Sequence, residues 1–495
     1  MSTTVPPSFS ATVASSFSAT VPTGLPIGDG WVDTGETTPI RFPYDGSHVA
    51  DAPVGTADHA RTAVDHATEL AGAVAALPSR IRRDILLATR DALAGWRDEM
   101  EHLLVLETGK PVRDCRVEVD RTLVTLAASA EEVSRLHGET VPLDLLPSGD
   151  GMLGFWVRKP IGVVVGIAGF NYPLLLATHK MGPAIAAGCP VICKPAPSTP
   201  LATLWLVQLI REAALAAGAP PGLVQLVTGD VDVGSTLVTD TRVGAVSFTG
   251  SAAVGHRIAR DAAPRKVLLE LGSNAALCVA ADADVEAAAA AVLRGGFYAS
   301  GQACISVQRV LVERGVADEF LDRLAAGMGS VVVGDPRDEA THVSTLIDQR
   351  SAQRVNEWVE AAESAGARRL ATAPSDVTPA PTVLVDVPDT AAVWCEEVFG
   401  PVVCVRIIDS MDEAFEQVNA SRYGLHASVF TRSLATAMTA VQRLDVGGVV
   451  VNEVPGFRSD TMPYGGVKDS GIGREGPRFA VEELTVTRMA IIRPM

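Results

Sequence analysis

A cysteine, an acid and a carboxamide stand out in this chain for the chemistry that their neighbours would permit. Cys304 lies in Gly301-Gln302-Ala303-Cys304-Ile305-Ser306, a turn after a helical stretch that ends at Tyr298-Ala299-Ser300-Gly301. A thiolate exposed there is a strong nucleophile toward a carbonyl carbon. Glu270, in Leu269-Glu270-Leu271-Gly272-Ser273, closes an apolar run. The C-terminal end of a parallel strand is where α/β sheets place ligands, and partial desolvation there lifts a carboxyl into the range of a general base. Asn171, in Gly169-Phe170-Asn171-Tyr172-Pro173, could donate to an oxyanion together with the Cys304 backbone N–H.

Two further segments suit a nucleotide. Lys194, in Cys193-Lys194-Pro195-Ala196-Pro197, ends a short apolar run and could reach ribose or phosphate oxygens. Phe248-Thr249-Gly250-Ser251, with Gly255 four residues later, reads as a strand-to-helix turn whose free N–H groups and hydroxyl suit a phosphate. Neither this turn nor Gly162, Gly166 and Gly169 fits GxGxxG. Taken singly, each residue also has a plain structural reading. A lone Cys is a small buried hydrophobe, Glu270 a partner for a core Arg, Asn171 a turn former, Lys194 a solvated charge and Ser251 an ordinary N-cap.

These residues need a scaffold, and the pattern around them supplies one. From about Asp58 to Arg135 apolar residues recur at helical spacing, with Thr56 as N-cap and stretches over Ala57–Leu77, Ser79–Met100 and Cys115–Leu136. His137 to Lys159 holds several Pro and Gly between apolar residues and reads as a ribbon outside the helical core. Strand candidates then alternate with helices: Val163–Ile167, Val191–Cys193, Leu223–Val227, Ala245–Thr249 and Val267–Leu271. A second alternating series runs from Ala276 to about Asn452, and Glu482–Arg493 reads as an outlying strand. The fold class is therefore α/β, with buried parallel strands and helical crossovers.

Composition narrows the function classes. At 495 residues the chain has room for roughly three units of about 150 residues. Its net charge of −17 disfavours nucleic acid and anionic membranes as partners. No apolar run approaches the ~20 residues of a membrane span. The start of the chain repeats Ser-Phe-Ser-Ala-Thr-Val and lacks a basic or Leu-rich segment, so residues 1–24 read as a loose tail rather than a signal peptide. Seven scattered cysteines, without CxxC or a His pair at ligand spacing, point to a reducing, cytoplasmic setting and no metal site.

Together the motifs resemble the aldehyde dehydrogenase superfamily. They are GFNYP, CKPAPSTP, FTGS, ELGS, GQACIS, EEVFGP from Glu396 to Pro401, Asn452 in VVVN, and PYGGVKDSGIGREG from Pro463 to Gly476, all in the family's order. The resemblance spans about Asp29 to the C-terminus. It implies NAD- or NADP-dependent oxidation of a small-molecule aldehyde to a carboxylate. Cys304 would be the nucleophile, Asn171 the oxyanion donor and Glu270 the base that activates water, with Lys180 and Glu475 relaying the proton. It further implies Lys194 and Glu397 as ribose contacts, Gly250 and Ser251 with Gly255 at the pyrophosphate, and Phe399 and Phe170 as aromatic walls. The implied fold has a Rossmann-like cofactor domain (residues 25–136 and 160–271) and an α/β catalytic domain (272–470). A small β oligomerisation ribbon (137–159 and 480–495) completes it and implies a homodimer or homotetramer.

Three positions depart from the family pattern. Phe170 replaces a Trp, Ser273 replaces a Gly, and Pro197 stands where an acid often binds both ribose hydroxyls. Without that acid nothing repels a 2′-phosphate, so NADP should be accepted. A CoA-acylating reaction or a non-catalytic scaffold are the other roles for this fold, and retention of Glu270, Cys304 and Asn171 favours hydrolysis. The substrate rests on two arginines. Arg121 shares a helix face with Val117, Val124 and Ala128, so it should meet an anion, either an internal carboxylate or a substrate group. Arg458 precedes the PYGG motif, in a stretch similar to lactaldehyde- and phosphonoacetaldehyde-type enzymes. A small polar or acid-bearing aldehyde is expected, with a medium-chain apolar aldehyde as the rival.

Overall fold

The computed structural model describes residues 22–493. Most of the expected tail, residues 1–21, lies outside them, and order is already present at Leu25, which is fully buried and bridges Val32.

Two sheets carry the molecule. In the six-stranded sheet the parallel strands Val224–Leu226, Val191–Lys194, Val163–Ile167, Val243–Thr249 and Lys266–Glu270 lie side by side in that order. Gly471–Ile472 runs antiparallel at the far edge against Lys266–Glu270. The sequences VVVGI and VICK are buried on both faces, as expected of strands with helices above and below. One covering helix, Pro173–Ala187, is buried along its whole length and ends at Gly188 in the left-handed conformation. Thr56 caps Ala57–Ala75, and the His59 ring closes the capping box.

The seven-stranded sheet runs Arg368–Thr372, Thr382–Val385, Val402–Ile408, Arg309–Glu313, Ala276–Val279, His426–Phe430 and Gly448–Val451, parallel except for the first strand. A separate antiparallel ribbon joins Leu153–Pro160 to Glu139–Thr140 on one side and Thr485–Ile492 on the other. It brings the two expected outlying segments together.

Several expectations need correction. The helix read over Ser79–Met100 is two helices, Ser79–Gly95 and Arg97–Thr108, parted at Trp96. Glu482 and Glu483 belong to the helix Pro477–Glu483, so the last strand starts at Thr485. On the helix Val112–Glu132 the stripe through Val117 and Val124 is half exposed, while Cys115, Glu118, Val119, Thr122 and Leu126 face the core. Polarity misled here because the buried polar groups are satisfied. Glu118 pairs with Lys110 and accepts from the backbone N–H groups of Leu174 and Leu175, at 3.0 and 3.1 Å.

Candidate active site

The C-terminal ends of Val163–Ile167, Val243–Thr249 and Lys266–Glu270 open into one cleft of about 520 Å³. Asn171, Gly250, Ser251, Glu270, Cys304, Glu397, Phe399, Phe170, Arg121 and Arg458 all line it. Residues separated widely in the chain thus share one space of small-molecule size.

The nucleophile candidate sits on a strained turn. Ala299, Ser300 and Gly301 follow one another at φ of 49°, 56° and 72°. Left-handed backbone costs a non-glycine residue about 1–2 kcal/mol, so the surroundings must impose it. Asp114 Oδ2 accepts from the Ala299 N–H at 2.9 Å. Ser300 Oγ donates to the Ser344 carbonyl at 3.1 Å and accepts from the Ser344 N–H at 3.0 Å. At Gly301 a Cβ would collide with the Gly400 carbonyl. The turn delivers Cys304 Sγ to the cleft, 3.2 Å from the Tyr464 hydroxyl. Burial pushes the thiol up to about 11, and the Tyr464 hydrogen bond and the Arg458 charge oppose that rise.

Asn171 is held from behind. Lys110 Nζ donates to its carbonyl at 2.8 Å while paired with buried Glu118 and lying over the Tyr172 ring. The Asn171 carboxamide donates to the Gln302 carbonyl at 2.8 Å, which brings it beside the nucleophile's turn. Glu270 is buried, and its Oε2 has no hydrogen-bond partner. Burial, with repulsion from Glu475, raises its pKa well above the ordinary range. Gly465 at φ +155° makes the room for it, since a Cβ there would sit 2.9 Å from Glu270 Oε1.

Glu475 is equally buried but well partnered. Lys180 Nζ donates to Oε1 at 2.7 Å, and Arg458 Nη2 and His179 Nδ1 each lie 3.3 Å from Oε2. Although burial alone would raise it, these neighbours hold its carboxyl well below the ordinary range. Lys180 also donates to Thr249 Oγ1 at 2.7 Å, tying the pair to the end of a strand.

On the opposite wall, Glu397 Oε1 accepts from the Ser273 N–H at 2.9 Å, and burial raises its pKa to about 7. Phe399, at φ 50°, packs edge-on against Phe170 with ring centres 5.6 Å apart. Lys194 is buried, with only a 3.5 Å contact to the adjacent Pro195 carbonyl, and burial lowers its pKa. Ser251 starts the helix Ala252–Ala262 without a side-chain cap bond. Lys194, Lys180, Glu475 and Gly255 do not themselves line the cleft, and at Gly255 a Cβ would strike the Leu271 side chain. The bare backbone at Gly255 lets its helix pack closely against Leu271.

Arg121 meets the internal carboxylate that was one of its two expected partners. Its Nε and Nη2 grip Asp460 at 3.0 and 2.8 Å, and Asp460 is held far below the carboxylate range despite burial. The Arg458 side chain is buried and stacks over Tyr464, 3.7 Å from the ring centre.

A family model for the aldehyde dehydrogenase family matches residues 31–490. This chain belongs to the aldehyde dehydrogenase family. It is 40% identical over 475 residues to 3-sulfolactaldehyde dehydrogenase of Priestia megaterium, covering 95% of this chain and 98% of that one. Lactaldehyde dehydrogenase of Methanococcus aeolicus is 34% identical over 454 residues, covering 92% of this chain and 96% of that one. Among solved structures, aldehyde dehydrogenase 21 of Physcomitrella patens, in complex with the reaction product succinate, superimposes with a TM-score of 0.91 at 33% identity, covering 95% and 98%. Glyceraldehyde-3-phosphate dehydrogenase GapN of Methanocaldococcus jannaschii, complexed with NADP, gives 0.88 at 34%, covering 92% and 99%.

As an aldehyde dehydrogenase the chain is an oxidoreductase, and its α/β fold is that of the family. Among the described residues no helix is long and apolar enough to cross a membrane, and no group of three or more His, Cys, Asp and Glu could hold a metal ion. Sequence reasoning did not single out Tyr464, Tyr298, His179 or Asp460, though all but Asp460 line the cleft. Tyr464 lies in the PYGG motif and Asp460 in the stretch between it and Arg458, so the sequence held them without revealing their partners.

Proposed function

We propose that this aldehyde dehydrogenase oxidises a small, acid-bearing aldehyde to the carboxylate, with Cys304 as nucleophile, Glu270 as base and NAD or NADP as oxidant. The observation that carries the reading is one cleft holding a thiol in hydrogen-bond contact with a phenol and a buried carboxyl with an unpartnered oxygen. Charge supports the substrate class. At formal charges, leaving Glu270 and the histidine out of the count, Arg121, Arg458 and Lys180 outweigh Asp460 and Glu475 by one positive charge. Arg121 engages Asp460 through Nε and Nη2 only, which leaves Nη1 for a sulfonate or carboxylate. Relatives named for sulfolactaldehyde and aspartate semialdehyde, 40% and 38% identical, act on aldehydes of that kind.

The cofactor end fits a dinucleotide. Lys194 is a buried amine that forms no ion pair, Ser251 and the following helix start are uncapped, and Gly272 presents bare backbone beside Glu397. Pro197 offers no acid, and nearby Glu107 is engaged by the N–H groups of Leu201 and Ala202, so acceptance of a 2′-phosphate rests on these two positions, with Asp230 the acid whose charge reaches Lys194. When bound, the nicotinamide accepts the hydride that leaves the aldehyde carbon. The rest falls to the chain. Cys304, as thiolate, bonds to the carbonyl carbon, and Asn171 exchanges the Gln302 carbonyl for the new oxyanion. Loss of hydride leaves a thioester on Cys304. Glu270, once deprotonated, takes a proton from water as it attacks that thioester, releasing the acid and the thiolate. Lys180 and Glu475 pass the proton onward. The ribbon of Leu153–Pro160 and Thr485–Ile492, with Leu153, Val157, Val486 and Ile491 exposed, is the surface through which a homodimer or homotetramer would form.

Cys304→Ala tests the reading. Aldehyde-dependent NADPH formation should fall by at least about 10⁴-fold, while NADP binding measured by fluorescence titration stays unchanged. Turnover near that of the native protein would overturn it.

A further inference from the structure

The cleft contains one group in contact with the nucleophile that the reaction as written does not use. Cys304 Sγ and the Tyr464 hydroxyl are 3.2 Å apart, within hydrogen-bond reach for sulfur. Tyr464 is nearly completely buried, and its ring is fixed on two sides. Arg458 lies over one face, 3.7 Å from the centre, and the His426 ring meets it edge-on with centres 5.1 Å apart. His426 is itself anchored by Nδ1 on the Pro455 carbonyl at 2.9 Å. The phenol therefore has little freedom to turn away from the sulfur.

We infer that Tyr464 is a further catalytic residue, whose hydroxyl donates to the Cys304 thiolate and holds it ionised and aimed, with Arg458 behind the ring strengthening the donor. This rests on Cys304 being the nucleophile. A buried thiolate without a donor is costly, and a hydrogen bond to a charged acceptor recovers more than one to a neutral group. The guanidinium on the ring face favours negative charge at both the phenol oxygen and the sulfur. The proton that leaves the thiol goes to solvent, and the phenol keeps its own, since burial raises the Tyr464 hydroxyl well above its ordinary value. When the sulfur bonds to carbon it loses its charge, and the hydroxyl is freed. The interaction is thus strongest before attack and after thioester hydrolysis.

Other titratable groups surround the sulfur and must be counted. Glu270 comes from the strand end and Glu397 from the loop after Ala392–Cys395, and both oppose ionisation. Tyr298 approaches from the strained turn, and His426, which burial keeps neutral, lies behind Tyr464. Arg458 alone among the charged neighbours favours the thiolate. Tyr464 is thus the donor in direct contact.

The test is the pH dependence of Cys304 alkylation by iodoacetamide in the intact protein without aldehyde, followed by mass of the Cys304 peptide. Tyr464→Phe removes only the oxygen. The alkylation midpoint should rise by about one pH unit, so that the rate near pH 7.5 falls about tenfold, while NADP affinity and thermal unfolding are unchanged. Site-specific 3-fluorotyrosine at 464, a stronger donor of nearly the same shape, should move the midpoint the other way, and it decides the matter if the Phe variant does not fold. An unmoved midpoint in both variants would make Tyr464 a mere wall. A lower midpoint in Tyr464→Phe would mean that the thiol donates to the phenol, and would equally overturn the proposal. Because alkylation is read without turnover, failure here is separate from failure of Cys304→Ala to abolish activity.

Discussion

Glu270 and Glu475 share a residue type and a depth of burial, the first lining the cleft and the second held by Arg458 and His179, which line it, yet their surroundings drive them in opposite directions. Glu270 ends an inner strand of the six-stranded sheet, with one carboxyl oxygen unpartnered. Glu475 lies just before the helix Pro477–Glu483 and collects Lys180, His179 and Arg458. Burial disfavours both charges, so the sign of each shift is decided by partners rather than by depth. One carboxyl is kept as an acid awaiting a proton acceptor, the other as an anion whose cationic neighbours share the proton it hands on. Pairs whose environments push them apart in this way are where acid–base roles divide.

Kinetics should separate the two most sharply. Glu270→Gln removes the base and leaves the nucleophile, so an NADPH burst of about one equivalent should precede steady turnover slowed by roughly 10²-fold or more. Glu475→Gln should slow turnover without a burst, because the thioester can still be hydrolysed. A burst in both variants, or in neither, would erase the distinction.

Stability should separate them in the opposite sense. Glu475→Gln leaves Lys180 buried without its counter-charge and should destabilise by about 3 kcal/mol, read by urea unfolding at pH 7. Glu270→Gln removes a group the fold does not satisfy and should stabilise by about 1 kcal/mol. The pH dependence has matching signs. Glu475, ionised in the fold below its ordinary value of 4.5, gives stability that is complete above that pH and is lost as pH falls through its folded value. Glu270 keeps its proton in the fold where the unfolded chain would release it, so stability declines as pH rises from 4.5 toward its raised value. Each substitution should flatten its own part of the curve.

Sequence reading reached the first carboxylate better than the second. Glu270 is legible because a strand-ending acid is a local pattern, and Cys304 and Asn171 because their motifs are contiguous. The environment of Glu475 is not local: Lys180 lies 295 residues away, and the ring of His179 is offered by a helix buried along its entire length. Charge in a buried helix has no periodic signature that names its partner. Arg121 shows the same limit, since helical spacing put it on a face with Val117 and Val124 while Asp460, 339 residues on, determined where the guanidinium goes. The alternation of strands and helices and the outlying ribbon followed from apolar periodicity and turn residues, whereas the order of strands within each sheet did not, and Tyr464 became visible only when the turn at Cys304 and the loop at 452–466 were placed together.

The two carboxylates also act on each other. Glu475 is the largest charged influence raising Glu270. Neutralising it should therefore lower the Glu270 pKa, and the rising limb of the kcat–pH profile should move down by about one unit in Glu475→Gln. A limb that stays in place would mean that burial alone sets Glu270.

Arg121→Met bounds how far this coupling extends, and its effect should be the smallest. Arg121 touches neither carboxylate, but it grips Asp460, whose Oδ1 is 3.3 Å from His179 Nε2, and His179 Nδ1 is 3.3 Å from Glu475. If Arg121 serves the substrate's acid group, its loss should raise KM about tenfold for sulfolactaldehyde, close to 1.4 kcal/mol of binding, and leave hexanal unaffected. The kcat–pH limb should then stay where it is, because His179 still separates Asp460 from Glu475. If instead KM rises equally for both aldehydes, Arg121 is a structural clamp on Asp460. A shifted limb would carry a different meaning: the chain from Arg121 through Asp460 and His179 would reach Glu475, and the anion that opposes Glu270 would be tuned from the substrate's end of the cleft.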